Sequence, residues 1–294
     1  MKKLVFGGSG VALVTPFTDN GVNFEILEEL VEFHVENGTD AIIICGTTGE
    51  PSTMSEEEKK ECIKFTVDKV AGRIPVIAGT GSNSTEAVVK MTQYAENVGA
   101  DAVLIVTPYY NKTTQRGLIA HYKTISENTN LPIIMYNVPG RTGLNMSAKT
   151  VYELSKLENI VGIKEASGNF SQIAEIAALC KDNIYIYSGN DDQIVPMMAL
   201  GAKGVISVLA NVIPNDVHGM VKSFLDGDIL KARELQLKSL SLTNTLFCEV
   251  NPIPVKEAVR QLGFDVGKCR LPLVDIDEAG QIKISEELHD YFNR

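Results

Sequence analysis

No apolar run in these 294 residues approaches the ~20 needed to cross a bilayer, which excludes a membrane-spanning helix from the reading. The start, "MKKLVFGGSGVALVTPF", sets two lysines before an apolar stretch. Gly7-Gly8-Ser9-Gly10 interrupts that stretch and Pro16 ends it, so it reads as a tail leading into a first strand rather than a signal peptide. No Lys/Arg cluster is long enough to follow a phosphate backbone. With 37 acidic against 27 basic residues and a net charge of −10, nucleic acid is set aside as a partner. The five cysteines (Cys45, Cys62, Cys180, Cys248 and Cys269) show no CxxC spacing and are odd in number, which points to a reducing, cytoplasmic compartment. The four histidines (His34, His121, His218 and His289) form no HxH or HExxH pattern, so no metal site is expected.

What is there is a regular alternation. Eight short apolar runs read as strands: Val11–Thr15, Ala41–Cys45, Val76–Ala78, Ala102–Val106, Ile133–Tyr136, Ile160–Lys164, Ile184–Tyr187 and Gly204–Val208. Segments with helical spacing lie between them, such as Phe24–Asn37, Ser55–Val70, Ser84–Val98 and Gln115–Asn128. Asn23, Ser55, Ser84 and Ser147 suit N-caps, and Ser55-Glu56-Glu57-Glu58 reads as a capping box. Apolar strands alternating with helices imply a parallel sheet buried on both faces. Eight such units in about 210 residues predict an α/β fold, a closed (β/α)8 TIM barrel. The first run lacks a following GxGxxG, which weakens a dinucleotide-binding reading. Beyond Val208 the pattern turns helical, over Asp216–Leu225, Leu230–Asn244, Pro254–Leu262 and Ser285–Phe292. The expected division is a barrel over 1–225 and a C-terminal helical region over 226–294.

In such barrels the chemistry lies where the strands end. The ends here carry Gly46-Thr47-Thr48-Gly49-Glu50, Thr107-Pro108-Tyr109-Tyr110-Asn111, Tyr136 to Gly143, and Ser188-Gly189-Asn190-Asp191-Asp192. One run ends on a lysine, Lys164. A buried lysine is rare without a partner, and burial lowers its pKa, which suits a nucleophilic amine. Taken alone, Lys164 could be a snorkelling side chain. Five polar clusters on one rim favour chemistry. Alternation turns Lys164 inward with Gly162 one layer below, where the glycine leaves room for the lysine stem. It turns Ile163 and Glu165 outward and sets Tyr136 inward on the neighbouring strand. Asp191 and Asp192 read as a turn and helix cap rather than a metal site.

The motifs GTTGE (46–50), PYYN (108–111), YNVPGRTG (136–143), GIKEASG (162–168), SGNDD (188–192), GVISV (204–208) and NPIPVK (251–256) run along almost the whole chain. In this the chain resembles the pyruvate-dependent class I aldolase superfamily and, within it, the dihydrodipicolinate synthase family. The resemblance implies condensation of pyruvate with aspartate 4-semialdehyde in lysine (diaminopimelate) biosynthesis, with no cofactor and no metal. It implies that Lys164 forms a Schiff base with pyruvate and that Tyr136 shuttles protons. Thr47 would link Tyr136 to Tyr110 of a neighbouring subunit, so a homo-oligomer, a homotetramer by family expectation, is implied. Thr47 and Thr48 suit the pyruvate carboxylate, Arg141 suits the carboxylate of the second substrate, and Gly189 and Ile206 line the pocket by family analogy.

The alternative is another pyruvate lyase, such as N-acetylneuraminate lyase or a 2-keto-3-deoxy sugar acid aldolase, which needs hydroxyl-binding groups where Arg141 stands. A non-catalytic barrel should lack Lys164 or Tyr136. A metal-dependent hydrolase should show histidine pairs after the first strand. Lysine-inhibited relatives carry two histidines where this chain has Glu56 and Lys59, while Asn83 and Tyr109 match other parts of that cleft. Lys59 would repel an incoming lysine, or the two would form an i, i+3 ion pair. Both readings predict weak inhibition by lysine.

Overall fold

The apolar runs pair side by side in chain order and close on themselves. In the computed structural model, which describes residues 2–293, β1 (Gly8–Ala12) precedes a small antiparallel hairpin, β2 (Phe17–Thr18) and β3 (Gly21–Val22). Then follow β4 (Ala41–Ile44), β5 (Val76–Gly79), β6 (Ala102–Val106), β7 (Ile133–Asn137), β8 (Ile160–Glu165), β9 (Tyr185–Ser188) and β10 (Gly204–Ser207). Among the described residues β1 and β4 to β10 form a closed parallel barrel in which β10 pairs back to β1. Strand alternation sorts the core into two layers. Ile43, Ile77, Leu104, Ile134, Tyr187 and Ile206 fill the interior, while Ile42, Ile44, Val103, Met135 and Ile163 pack outward against the helices. None of the described helices is long and apolar enough to cross a membrane.

The first strand lies three residues earlier than the sequence reading placed it. Gly8 and Gly10, read as an interruption, are part of β1. The reason is local crowding. A Cβ on Gly10 would stand 2.8 Å from Ile43 Cδ1 and 2.9 Å from the Phe6 ring. Phe6 closes the barrel floor, stacked on Tyr187 with ring centroids 4.5 Å apart. The Tyr187 hydroxyl donates to the Phe6 carbonyl at 2.7 Å. Glycine therefore stands at position 10 because Phe6 and Ile43 occupy the space a side chain would need.

The anticipated caps are present. Asn23, Ser55, Ser84 and Ser147 each accept a backbone N–H of the following helix, and Ser55 with Glu58 completes the capping box. Two helical readings need correction. Leu230–Asn244 is two helices, Ile229–Lys238 and Leu240–Thr245. The buried Ser239 hydroxyl donates to the Gln236 carbonyl at 3.2 Å, a local bond that competes with the helical ladder. The final helix runs Glu278–Phe292, seven residues longer at its start than read. Asp277 caps it by accepting from Gly280 N at 2.8 Å, and Gly280 in the first turn masks the start in the sequence.

Candidate active site

The turn after β4 is fixed before any ligand arrives. Thr15 Oγ1 donates to the Gly49 carbonyl at 2.7 Å, and Gly49 N donates to Gly46 O at 2.9 Å. Glu50 takes a left-handed conformation at φ 56°, and its side chain is fully buried. It is paired there with Lys256, Nζ to Oε1 2.9 Å, and its second oxygen accepts from Arg270 N at 3.0 Å. A buried ion pair holds only when its remaining groups are also bonded. Here Lys256 also donates to the Lys268 carbonyl and lies over the Phe17 ring.

Register sets the central pair. Tyr136 on β7 lies directly beside Lys164 on β8, and the ammonium sits 4.4 Å from the centroid of the phenol ring. Lys164 is 5% exposed, and its ammonium has no hydrogen bond or ion pair among the described residues. Burial pulls its pKa down to about 8; the Asp191 carboxylate partly offsets this and Arg141 adds to it. Burial raises the Tyr136 phenol, while the nearby Arg141 charge and a hydrogen bond from Thr47 ease it back. The amine therefore loses its proton readily and the phenol keeps its own, an arrangement suited to nucleophilic attack and proton exchange.

Gly162 does not make room for the lysine stem, as the sequence suggested. A Cβ there would meet Tyr187 at 3.2 Å and Ile134 at 3.4 Å, so the floor tyrosine takes that space. The stem is accommodated by Gly189, where a Cβ would stand 3.1 Å from Lys164 Cε and 2.6 Å from Ala166. Glu165 points away and is buried, accepting from Asn137 Nδ2 at 3.0 Å and from Ser167 N at 2.7 Å. Ile206 belongs to the interior layer beneath the rim.

Thr47, Tyr136 and Arg141 line a cavity of about 770 Å³, a volume suited to small metabolites. Its far end reaches Glu56 and Lys59. These two do not form the anticipated i, i+3 pair. Glu56 instead meets Lys60 at 2.5 Å, because i, i+4 places the two heads closer along this helix face. Tyr110 stands apart from the other candidates. It is 92% exposed and holds a left-handed backbone at φ 69°, a costly conformation for an aromatic residue.

Two residues of the rim escaped the sequence reading. Asp191 is buried, with Oδ2 accepting from Val208 N and Leu209 N at 3.0 Å each, so it is more than a turn residue. Asn251 reaches Thr48 from the far end of the chain. Its signal was the NPIPVK stretch, whose role spacing alone does not reveal. No group of three or more His, Cys, Asp or Glu among the described residues could hold a metal ion.

A closed parallel barrel with a buried amine of depressed pKa facing a phenol at the strand ends defines a lyase of the class I aldolase type. Comparison with known proteins narrows the class. Residues 5–291 match the family model described as the dihydrodipicolinate synthetase family, and the chain belongs to that family. A 4-hydroxy-tetrahydrodipicolinate synthase of Clostridium tetani is 58% identical, over 98% of each chain. The crystal structure of dihydrodipicolinate synthase from Aquifex aeolicus superposes with a TM-score of 0.96 at 48% identity, over 98% of each chain. A structure described as the first monomeric dihydrodipicolinate synthase variant has a TM-score of 0.96 at 42% identity, covering 98% of this chain and 97% of that one.

Proposed function

We propose that the rim cluster is the catalytic site, with Lys164 as the nucleophile. The activity is that of a 4-hydroxy-tetrahydrodipicolinate synthase, condensing pyruvate with aspartate 4-semialdehyde in lysine biosynthesis. Lys164 in its neutral form attacks the pyruvate ketone, and loss of water leaves an imine. The protonated imine withdraws electrons, so a methyl proton departs and an enamine forms. The enamine carbon attacks the aldehyde, and the aldehyde oxygen takes up a proton. The amino group of the second substrate then displaces Lys164 and closes the ring, which restores the free amine. Tyr136 supplies and accepts the protons of these steps. The imine is itself the electron sink, so the scheme calls for no cofactor.

Thr47 and Thr48 hold the pyruvate carboxylate with hydroxyl and main-chain N–H donors of the turn. The planar fork of Arg141 takes the carboxylate of the semialdehyde. Gly189 leaves room for the Lys164 stem and Ile206 supports the site from the layer below. Arg141 favours this reading over a sugar acid aldolase, which would need hydroxyl partners at that place. The exposed side chain and strained backbone of Tyr110 suit insertion into a second copy, where it would complete the relay. We therefore read the working unit as a homo-oligomer, a homotetramer, located in the cytoplasm. We take 1–225 as the catalytic barrel and 226–294 as a helical region that braces it.

The observation that carries the reading is the buried, unpaired Lys164 ammonium against the Tyr136 ring. Treatment with pyruvate and borohydride should reduce the imine to a stable adduct, and peptide mapping should place it on Lys164. An adduct on another lysine, or none, overturns the assignment.

A further inference from the structure

Asn251 stands 203 residues from Thr48 in sequence, yet its side-chain Nδ2 donates to Thr48 Oγ1 at 3.0 Å. Its main-chain carbonyl accepts from Arg141 Nη2, also at 3.0 Å. One residue, 5% exposed, thus touches both groups assigned to substrate carboxylates. Its place is held rigidly. The helix Ile253–Gln261 begins two residues later, and Lys256 in its first turn is the partner of buried Glu50. The segment 251–256 therefore grips the turn 46–50 at two points, through Thr48 and through Glu50.

We propose that Asn251 is a positioning residue that aims the Thr48 hydroxyl at pyruvate while its main-chain carbonyl orients Arg141. The inference rests on the assignment of Thr48 to the pyruvate carboxylate. A threonine hydroxyl has one proton and accepts through its lone pairs. When its oxygen accepts from an amide N–H, its own proton stays free to be donated. A carboxylate is an acceptor only, so the hydroxyl must donate to it. Asn251 selects that polarity. Arg141 is steered differently. A carbonyl takes one N–H of the guanidinium and leaves the rest of the fork for a ligand. That contact comes from the main chain and survives most substitutions at 251.

The test separates hydrogen-bond polarity from packing. The pyruvate concentration that half-saturates borohydride trapping is measured for wild type, Asn251→Ala, Asn251→Asp, Thr48→Val and the double variant Asn251→Ala/Thr48→Val. Loss of one oriented hydrogen bond should raise it roughly 5- to 10-fold in Asn251→Ala. Asn251→Asp should be worse than Asn251→Ala, although it is nearly isosteric. A carboxylate at 251 cannot donate to Thr48, would draw the hydroxyl proton to itself, and would repel pyruvate. A packing role predicts the opposite order. The double variant should match Thr48→Val alone, because Asn251 acts through that hydroxyl. The KM for aspartate semialdehyde should change little in Asn251→Ala. If Asn251→Ala does not fold, the near-isosteric Asn251→Asp carries the comparison with wild type and must still weaken pyruvate trapping. Additive effects in the double variant, or Asn251→Asp behaving as wild type, overturn the proposal and leave the assignment of Thr48 standing. If Thr48→Val leaves pyruvate trapping unchanged, the assignment of Thr48 fails and the proposal with it.

Discussion

Replacing Lys164 by methionine should abolish imine formation and make the protein more stable. Methionine keeps an unbranched stem of similar length and removes the charge. The ammonium it removes is buried and has no hydrogen bond or ion pair among the described residues. Its pKa falls from 10.5 to about 8, chiefly through desolvation. The unfolded chain therefore binds more protons at this residue than the folded one between those values. Stability rises with pH across that window, and the cost of the buried charge is fully present below pH 8. The cost is about 3 kcal/mol near neutrality and falls below about 1 kcal/mol by about pH 10. Asp191 loses a favourable neighbour in the variant, which trims the gain to about 1–3 kcal/mol. The assay compares thermal midpoints of wild type and Lys164→Met across this pH range at one protein concentration. The variant should melt several degrees higher near pH 7, and the difference should shrink toward pH 10. A variant that melts at or below wild type at neutral pH, or a difference independent of pH, would refute the reasoning.

Arg141→Ala should cost about 2–5 kcal/mol of transition-state binding for aspartate semialdehyde and leave pyruvate trapping largely intact; steady-state kinetics and borohydride trapping measure the two separately, and equal damage to both would count against the assignment. Tyr110→Phe should lower turnover without affecting pyruvate trapping, and sedimentation should show a dimer or larger; a fully active monomer at assay concentration contradicts the relay across subunits. Lysine should inhibit weakly or not at all, because Lys59 lines the cavity and the charge of Glu56 is already engaged by Lys60. Activity titrated with lysine reads this directly, and strong inhibition at sub-millimolar concentration would show that the cleft binds the effector without histidines.

Strand placement and the Lys164–Tyr136 pair were legible because both follow from period-two alternation in β-branched runs. Ile133 to Tyr136 and Ile160 to Lys164 each carry their inward and outward faces in plain order. β1 does not follow the local pattern because its glycines answer to neighbours in space, Gly8 to Asp40 and Gly10 to Phe6 and Ile43. The same holds for Gly162 and Gly189. Only the position of Tyr187 in space decides which of the two makes way for the lysine stem. Asp191 looked like a cap because Asp before a helix usually is one. Its carboxylate instead binds two main-chain N–H groups some 17 residues onward, at the end of β10.

The contribution of the C-terminal region was invisible for a deeper reason. Glu50 and Lys256 lie 206 residues apart, and neither is remarkable in its own neighbourhood. Brought together at 1% exposure or less, they form a pair whose desolvation is costly and which therefore tolerates no misfit. A pair of that kind is a weak source of stability and a strong source of geometry. It fixes the distance between the turn that carries Thr47 and Thr48 and the helix that follows Asn251. The barrel strands set how deep Lys164 and Tyr136 sit, since β7 and β8 register determines that alone. They do not set where the hydroxyl of Thr48 or the head of Arg141 points. Both groups are hydrogen-bonded instead by Asn251, outside the strand ladder, while Lys256 anchors the neighbouring Glu50. The amine and phenol are thus placed by the barrel, and Thr48 and Arg141 are both held by Asn251, from the segment that precedes the helix carrying Lys256.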